Sequence, residues 1–430
     1  MTAPQPPRIG WTTLAPILTV HFCGTLGFSI ALPILVFLVA DLGGAPWAYG
    51  LLGATFSAAQ MIGAPVLGRW SDRVGRKTIL AVSQGGTVVA WLLFLLALYL
   101  PKTTLGAFAG TTLTVPLLVI FLARLLDGLT GGNISVANAY VADLTRDAKA
   151  ERQRAFGRMG MAASVGFTAG PALAGLLASE SDPYTRPVMA SITIATIGVV
   201  LCLRLKEPKG RCPDGPPPQG NISRALSQQQ VPCDQAPAPR ARSAIVRMPQ
   251  ARVALAMTFV MFLGFNIFYA AFPVHATTRI GWGPGDLGTF FAAMSAAMFL
   301  VQGPLLGAAS SRLRPTIVFG VGLACLSLAF LMYAGGVTAS AYLGGALFAL
   351  GNGLAWPTFQ ARASSLVSES DQGAFQGALA SAGSLASITG LILGGVLYPI
   401  LGGRVFWASG ALFVLVFLAS ARLYRSPDAS

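Results

Sequence analysis

Arg124 and Asp127 are the two charged residues inside an otherwise apolar run at about 113–142 of this 430-residue chain. Three positions apart, they share one helical face and are close enough to interact. In a hydrocarbon environment each charge costs about 3 kcal/mol unless paired or hydrated, so such residues ordinarily face a polar cavity. The chemistry they could perform is proton coupling. Asp127 would exchange a proton, with Arg124 holding its charge until substrate or a conformational change separates them. The alternative is a structural pair that neutralises itself. No other carboxylate falls at comparable depth in an apolar run.

His21 lies about ten residues into the first apolar run, where it could relay protons or contact substrate. A neutral, hydrogen-bonded packing role fits it equally. His275, near the end of another run, reads as interfacial. Gln60, Asn133, Phe265, Asn266, Gln302, Asn352 and Trp356 are candidates for lining a substrate cavity, although amides also serve as glue between membrane helices. No metal-ligand cluster, nucleophile constellation or nucleotide loop is present. The chain therefore reads as a non-enzyme with no metal or cofactor, and any work it does must draw on an ion gradient.

The elements that must position these residues follow from composition. Hydrophobic residues make up 54% and charged residues 10%, against about a quarter charged in ordinary soluble domains. Stretches 17–39, 78–100 and 315–359 contain no charge at all. Runs of about 20 apolar residues cross a bilayer as helices. Soluble enzymes, nucleic-acid binders and disulfide scaffolds are thereby excluded, and the five cysteines, unevenly spaced, read as free thiols. Charges and Pro/Gly clusters divide the chain into twelve spans, at about 12–40, 47–67, 78–100, 113–142, 156–179, 186–205, 251–276, 285–309, 315–336, 338–367, 372–400 and 402–423.

The formal net charge of +14 reports orientation. With the N-terminus cytoplasmic, about 24 of the 29 Lys and Arg fall on cytoplasmic segments, as the positive-inside rule requires. Lys102, Arg186, Arg279 and Arg404 fall outside. Both termini are then expected in the cytoplasm, in a cell membrane. Residues 206–250, rich in Pro, Gln, Ser and Arg, read as a disordered cytoplasmic linker between domains 1–205 and 251–430. The halves also echo one another. Gly132-Asn133 matches Gly351-Asn352, and Gly157, Ser164, Gly170 and Gly175 match Gly377, Ser384, Gly390 and Gly395 at an offset of about 220. The fold expected is an all-α membrane protein of two pseudo-symmetric six-helix bundles.

The sharpest motif is Gly68-Arg-Trp-Ser-Asp72-Arg73-Val-Gly75-Arg76-Lys77, placed in the short loop after span two. An ordinary basic loop explains its cations but not the glycine spacing or Asp72. Here the sequence resembles the major facilitator superfamily, whose loop signature G-x-x-x-D-[RK]-x-G-R-[RK] is matched at every fixed position. Arg124-Leu-Leu-Asp127-Gly128 is similar to the family's span-four pattern, except that an amide usually stands where Asp127 does. Gly166-Phe-Thr-Ala-Gly170-Pro171-Ala-Leu-Ala-Gly175 resembles the element associated with proton-driven antiporters. Residues 138–145 are similar to the tetracycline- and multidrug-exporter branch.

The resemblance implies a 12-helix secondary transporter, driven by protons and embedded as a monomer in a lipid bilayer. It implies that Asp72 meets the start of span eleven, and that Arg76 pairs with an acid at the end of span four, here Asp143, to latch one conformational state. The second-half copy around 307–314 lacks the acid and second glycine. Tetracycline exporters carry an acid in span one where Gly24 stands, which argues against tetracycline itself as cargo. The expected function is export of lipophilic or amphipathic small molecules. The alternatives are export or import of an endogenous metabolite, lipid or metal-chelating compound, and a non-transporting receptor or scaffold.

Overall fold

The computed structural model describes residues 11–131, 133–145, 149–178, 182–208, 248–367 and 372–424. The secondary structure is overwhelmingly helical. In chain order the elements are α1 (Trp11–Asp41), α2 (Pro46–Val74), α3 (Arg76–Tyr99), β1 (Thr104–Phe108), β2 (Thr111–Thr114), α4 (Val115–Thr130), α5 (Asn133–Leu144), α6 (Lys149–Leu177) and α7 (Thr185–Arg204). After the linker come α8 (Pro249–His275), α9 (Pro284–Leu300), α10 (Leu306–Arg312), α11 (Pro315–Tyr333), α12 (Thr338–Ser364), α13 (Gln372–Leu401) and α14 (Arg404–Tyr424). Two π-helical turns, Ala276–Ile280 and Val301–Leu305, continue α8 and join α9 to α10. Such turns accommodate an extra residue within a helix.

Among the described residues ten helices are long and apolar enough to cross a bilayer, and Arg404–Ser420 is a shorter apolar helix. The remaining expected span, α12, is helical over 27 residues but diluted by Gly344, Gly345, Gly351 and Gly353. In span four α4 ends at Thr130 and α5 begins at Asn133, Gly132 lies outside the described residues, and Val115–Leu144 counts as one of the ten. Its counterpart in the second half, α12, runs unbroken through Gly351-Asn352.

Two elements depart from the sequence reading. The Gly68–Lys77 motif, read as a loop, is mostly helix, since α2 runs on to Val74 and only Gly75 separates it from α3. The segment after α3 holds an antiparallel hairpin, turned by Ala109 and Gly110 at positive φ. The hairpin is tied to the α1–α2 connection. Thr112 N–H donates to Gly43 C=O at 2.8 Å, the Trp47 indole to Ala109 C=O at 2.9 Å, and the Thr114 hydroxyl to Leu42 C=O at 2.8 Å.

The chain forms two compact units. One comprises Met1–Leu32, Ala59–Thr103 and Val115–Ala236. Within it α3 packs against α4 and α7, and Leu14, Ile17, Leu80, Tyr140 and Val141 form a buried apolar cluster. The other comprises Pro33–Ala58, Thr104–Thr114 and Pro237–Ser430. Its core is aromatic. Phe268 has its ring centroid 5.0 Å from Phe272, 4.6 Å from Tyr333 and 5.3 Å from Phe348, all fully buried. Aromatic pairs in this range add attraction beyond their area.

Candidate functional site

The apolar lengths of α3 and α4 bring one polar cluster together inside the first unit. Arg124 is 3% exposed and Asp127 7%. The Arg124 Nη1 donates to Asp127 Oδ2 at 3.3 Å, the i,i+3 geometry the spacing dictates. The other carboxylate oxygen accepts from the Thr87 hydroxyl of α3 at 3.0 Å. The guanidinium carbon stands 5.1 Å from the Phe94 ring centroid and 5.9 Å from that of Trp91. Cation–π attraction of this kind stabilises a desolvated cation by about 2 kcal/mol. The pair is thus enclosed between two helices. His21 is buried on α1, where its backbone C=O accepts from the Thr25 hydroxyl at 3.1 Å.

Thr87, Trp91 and Phe94 were missed by sequence reasoning. A signal existed: Ser83, Gln84 and Thr87 place polar groups within one turn of a run otherwise apolar and free of charge. The Ser83 hydroxyl donates to Thr130 C=O, closing α3 onto the end of α4.

At the α2–α3 junction, Arg76 is the hub. Its guanidinium reaches Asp143 Oδ2 at 2.8 Å, Asp72 Oδ1 at 2.5 Å and the Ser71 hydroxyl at 2.6 Å. Gly68 lies on α2 with open space around it, and Arg73 is exposed at the helix end. The side chains of residues 372–374, the start of span eleven expected to meet Asp72, lie outside the described residues. A further acid, Glu207, was not foreseen. Its carboxylate accepts the backbone N–H of Arg76 and, at 3.0 Å, that of Lys77, capping α3. Gly75 is required twice over. Its φ is +111°, and a Cβ there would meet the Glu207 carboxylate at 3.0 Å. Burial raises the Glu207 carboxyl above its ordinary value, against the lowering effect of the two N–H groups and of Arg76 and Lys77. The linker therefore starts as an anchored segment, with the Tyr140 hydroxyl also donating to Lys206 C=O at 2.6 Å.

The α6 glycines serve close packing. A Cβ at Gly170 would overlap the Ser29 hydroxyl of α1, and that hydroxyl donates to Gly166 C=O at 3.0 Å. Pro171 lies within α6, as does Gly175.

The cavity candidates scatter. Phe265 is a correction: it is buried among Phe348 at 5.5 Å and Phe413 at 5.0 Å, so it builds the aromatic core. Asn266 is a tie between helices, donating to Phe262 C=O at 2.8 Å and to the Ser387 hydroxyl of α13 at 3.0 Å. Gln60 donates to Gly131 C=O at 3.0 Å, satisfying the end of α4. The Asn352 amide contacts the Met298 sulfur at 3.1 Å. Trp356 stacks edge-on to Phe262 at 5.2 Å and is half-buried. Gln302 sits half-buried in a π-helical turn. The side chain of Asn133 lies outside the described residues. His275, expected at an interface, is 1% exposed, with Nδ1 3.1 Å from the Tyr398 hydroxyl. Among the described residues no group of His, Cys, Asp and Glu is arranged to hold a metal ion.

The family model of the Major Facilitator Superfamily matches residues 17–339 and again 254–430. The chain belongs to this superfamily. It is accordingly a multi-pass membrane transporter and not an enzyme, and its cargo is a small molecule. Among superfamily relatives it is similar to the class D tetracycline resistance protein of Salmonella ordonez, at 28% identity over 95% of this chain and 96% of the relative. It is also similar to multidrug resistance protein 1 of Bacillus subtilis, at 30% identity over 46% of each. Of solved structures, the human organic anion transporter MFSD10 aligns with a TM-score of 0.66 at 21% identity, covering 96% of this chain and all of that one.

Proposed function

We propose that this superfamily member is a proton-coupled antiporter that exports lipophilic or amphipathic small molecules by alternating access. The observation that carries the reading is the enclosed Thr87–Asp127–Arg124 cluster, a carboxylate at membrane depth with a fixed partner on each oxygen. A scaffold has no need of charge at such depth. In the cycle proposed, a proton arriving at Asp127 weakens its hold on Arg124 and favours release of cargo outward. Loss of that proton toward the cytoplasm restores the pair. The relatives named for tetracycline and multidrug resistance support export as the direction and a lipophilic cargo. Both termini are proposed to be cytoplasmic, on the strength of the basic residues counted above.

In this scheme the contacts of Arg76 with Asp72 and Asp143 act as a gate latch at the cytoplasmic surface. Gly166 and Gly170 give α6 the close fit on α1 that an antiporter element would use.

A second reading concerns cargo charge. A protonated Asp127 leaves the Arg124 guanidinium as net positive charge, which favours an organic anion. The solved relative named as an organic anion transporter points the same way, as does the absence of an acid at Gly24.

The test is uptake into inverted proteoliposomes of ethidium, tetracycline and the anionic dye fluorescein. Each is measured with an imposed pH gradient and again with a protonophore. Gradient-dependent uptake that the protonophore abolishes is expected for at least one. Uptake indifferent to the gradient would overturn proton coupling, and no uptake of any of them would remove the cargo class.

A further inference from the structure

The hairpin carries no charge from residue 103 to residue 114, yet all five residues of β1 are exposed, Leu105 at 56% and Phe108 at 75%. Its register steps from Thr104↔Thr114 to Gly106↔Leu113, so Leu105 is the extra residue of a bulge, a device that re-aims a side chain. The other strand is turned inward. Thr111 and Thr114 are buried, the Thr111 hydroxyl accepting from Ala45 N–H at 3.0 Å and the Thr114 hydroxyl donating to Leu42 C=O. The hairpin is thus fixed through β2 and presents β1. Proteins ordinarily guard an exposed apolar edge strand with charge, with Pro or with a cover, because it otherwise pairs with another chain. β1 contains neither charge nor Pro.

The cover is indicated by the surface that the strand continues. The Phe108 ring meets the Trp47 ring edge-on at 6.1 Å, and the Trp47 indole donates to Ala109 C=O. Trp47 lies in the first turn of α2, which crosses α13 closely: a Cβ at Gly395 would stand 3.1 Å from Trp47 Cα and 3.2 Å from Gly50 Cα. Beside Gly395 on α13, Ile392, Val396 and Ile400 form an exposed apolar stripe at i, i+4 and i+8 that runs to the end of the helix at Leu401. Residues Phe375–Leu401 are apolar and long enough to cross a bilayer, so this stripe faces hydrocarbon. Trp47 and Phe108 stand where it runs out. Aromatic residues at the ends of spans sit at the level of the lipid headgroups.

We propose that β1 docks on the membrane surface, with Leu105 and Phe108 inserted among phospholipids at the boundary between headgroups and acyl chains. In the orientation proposed above this is the outer leaflet, but the docking does not depend on that choice or on proton coupling. The strand backbone stays at headgroup level, because its free edge needs water that hydrocarbon does not supply. Since β2 is bonded to the α1–α2 connection, the anchor also holds that connection, and the crossing of α2 on α13 beside it, at a fixed height on the bilayer.

The experiment is photo-cross-linking of the purified full chain in nanodiscs of palmitoyl-oleoyl phosphatidylethanolamine and phosphatidylglycerol. Benzoylphenylalanine replaces Leu105 in one variant and Phe108 in another, each checked for folding by size-exclusion elution. The expected product is the chain plus one phospholipid, and dimyristoyl lipids should move that product by the difference in lipid mass. A product of twice the chain mass would overturn docking on lipid and give the edge to a second copy. A cross-link to another segment of the same chain, or no lipid adduct from either folded variant, would overturn it as well. A second measurement needs no photoprobe. Leu105→Ser with Phe108→Ser keeps the hydrogen bonds of the hairpin and removes the apolar groups, so amide hydrogen exchange of residues 103–114 in the same nanodiscs should quicken several-fold. Exchange equal to that of the wild type would show that the two side chains anchor nothing.

Discussion

The Thr87 hydroxyl of α3 and the Asp127 carboxylate of α4 are joined by a 3.0 Å hydrogen bond, which leaves the second carboxylate oxygen to Arg124. Each oxygen thus has its own donor on a different helix. The carboxylate cannot turn toward one without releasing the other.

Replacing Thr87 by Val keeps the branched shape and removes the donor. A hydrogen bond to a charged group contributes about 1.5–3 kcal/mol in water-soluble proteins, and rather less between membrane helices. The expected outcome is a modest loss of thermal stability together with a shifted pH profile for gradient-driven uptake. Exchange of cargo in the absence of a gradient should be unaffected. A profile superimposable on the wild type would show that Thr87 only packs.

Asp127→Asn should abolish pH-driven uptake while leaving folding intact, because the amide can still face Thr87 and Arg124. Circular dichroism and size-exclusion elution check the fold. Undiminished proton-coupled uptake would end the role given to this carboxyl.

Glu207→Ala removes the cap from α3 and should cost about 1 kcal/mol. Gly75→Ala should cost at least as much, through its positive φ and the contact at Glu207. The pH dependence has a definite sign. Burial raises the folded-state value of Glu207, so the folded chain holds this proton more tightly than the unfolded one. Its contribution is full below the ordinary 4.5 and declines as pH rises through the raised value. Thermal unfolding of Glu207→Gln across that window should be flatter than the wild type.

Gly170→Val should be the most damaging change on α6, since even a Cβ overlaps the Ser29 hydroxyl. Overpacking of this kind costs about 1–3 kcal/mol. Pairing it with Ser29→Gly should recover part of the loss in yield of folded protein, and no recovery would show that the contact is not what the glycine protects.

Much of this fold is legible in the sequence because bilayer thickness and charge scarcity leave few options. The spans and the buried pair are visible in residue type and spacing, whereas the acid partner of Arg76 follows only from the resemblance to the superfamily. What could not be read has physical causes. Glu207 lies 131 residues from Arg76 in the chain, so no local pattern links the cap to the helix it closes. The hairpin escaped because a Thr/Gly-rich connection looks like a loop until its pairing partners are known. Phe265 was misjudged because apolar periodicity cannot separate a ring facing a cavity from one facing a core. Its neighbours Phe348 and Phe413 come from distant helices.

The enclosed ion pair has an electrical consequence. With Asp127 ionised, Arg124 and Asp127 together carry no net charge, so the transmembrane voltage exerts almost no force on them. A bound proton changes that: the same two residues then carry one positive charge, worth about 2.3 kcal/mol for every 100 mV it moves through. Voltage would therefore bias the protonated carrier and leave the deprotonated one alone.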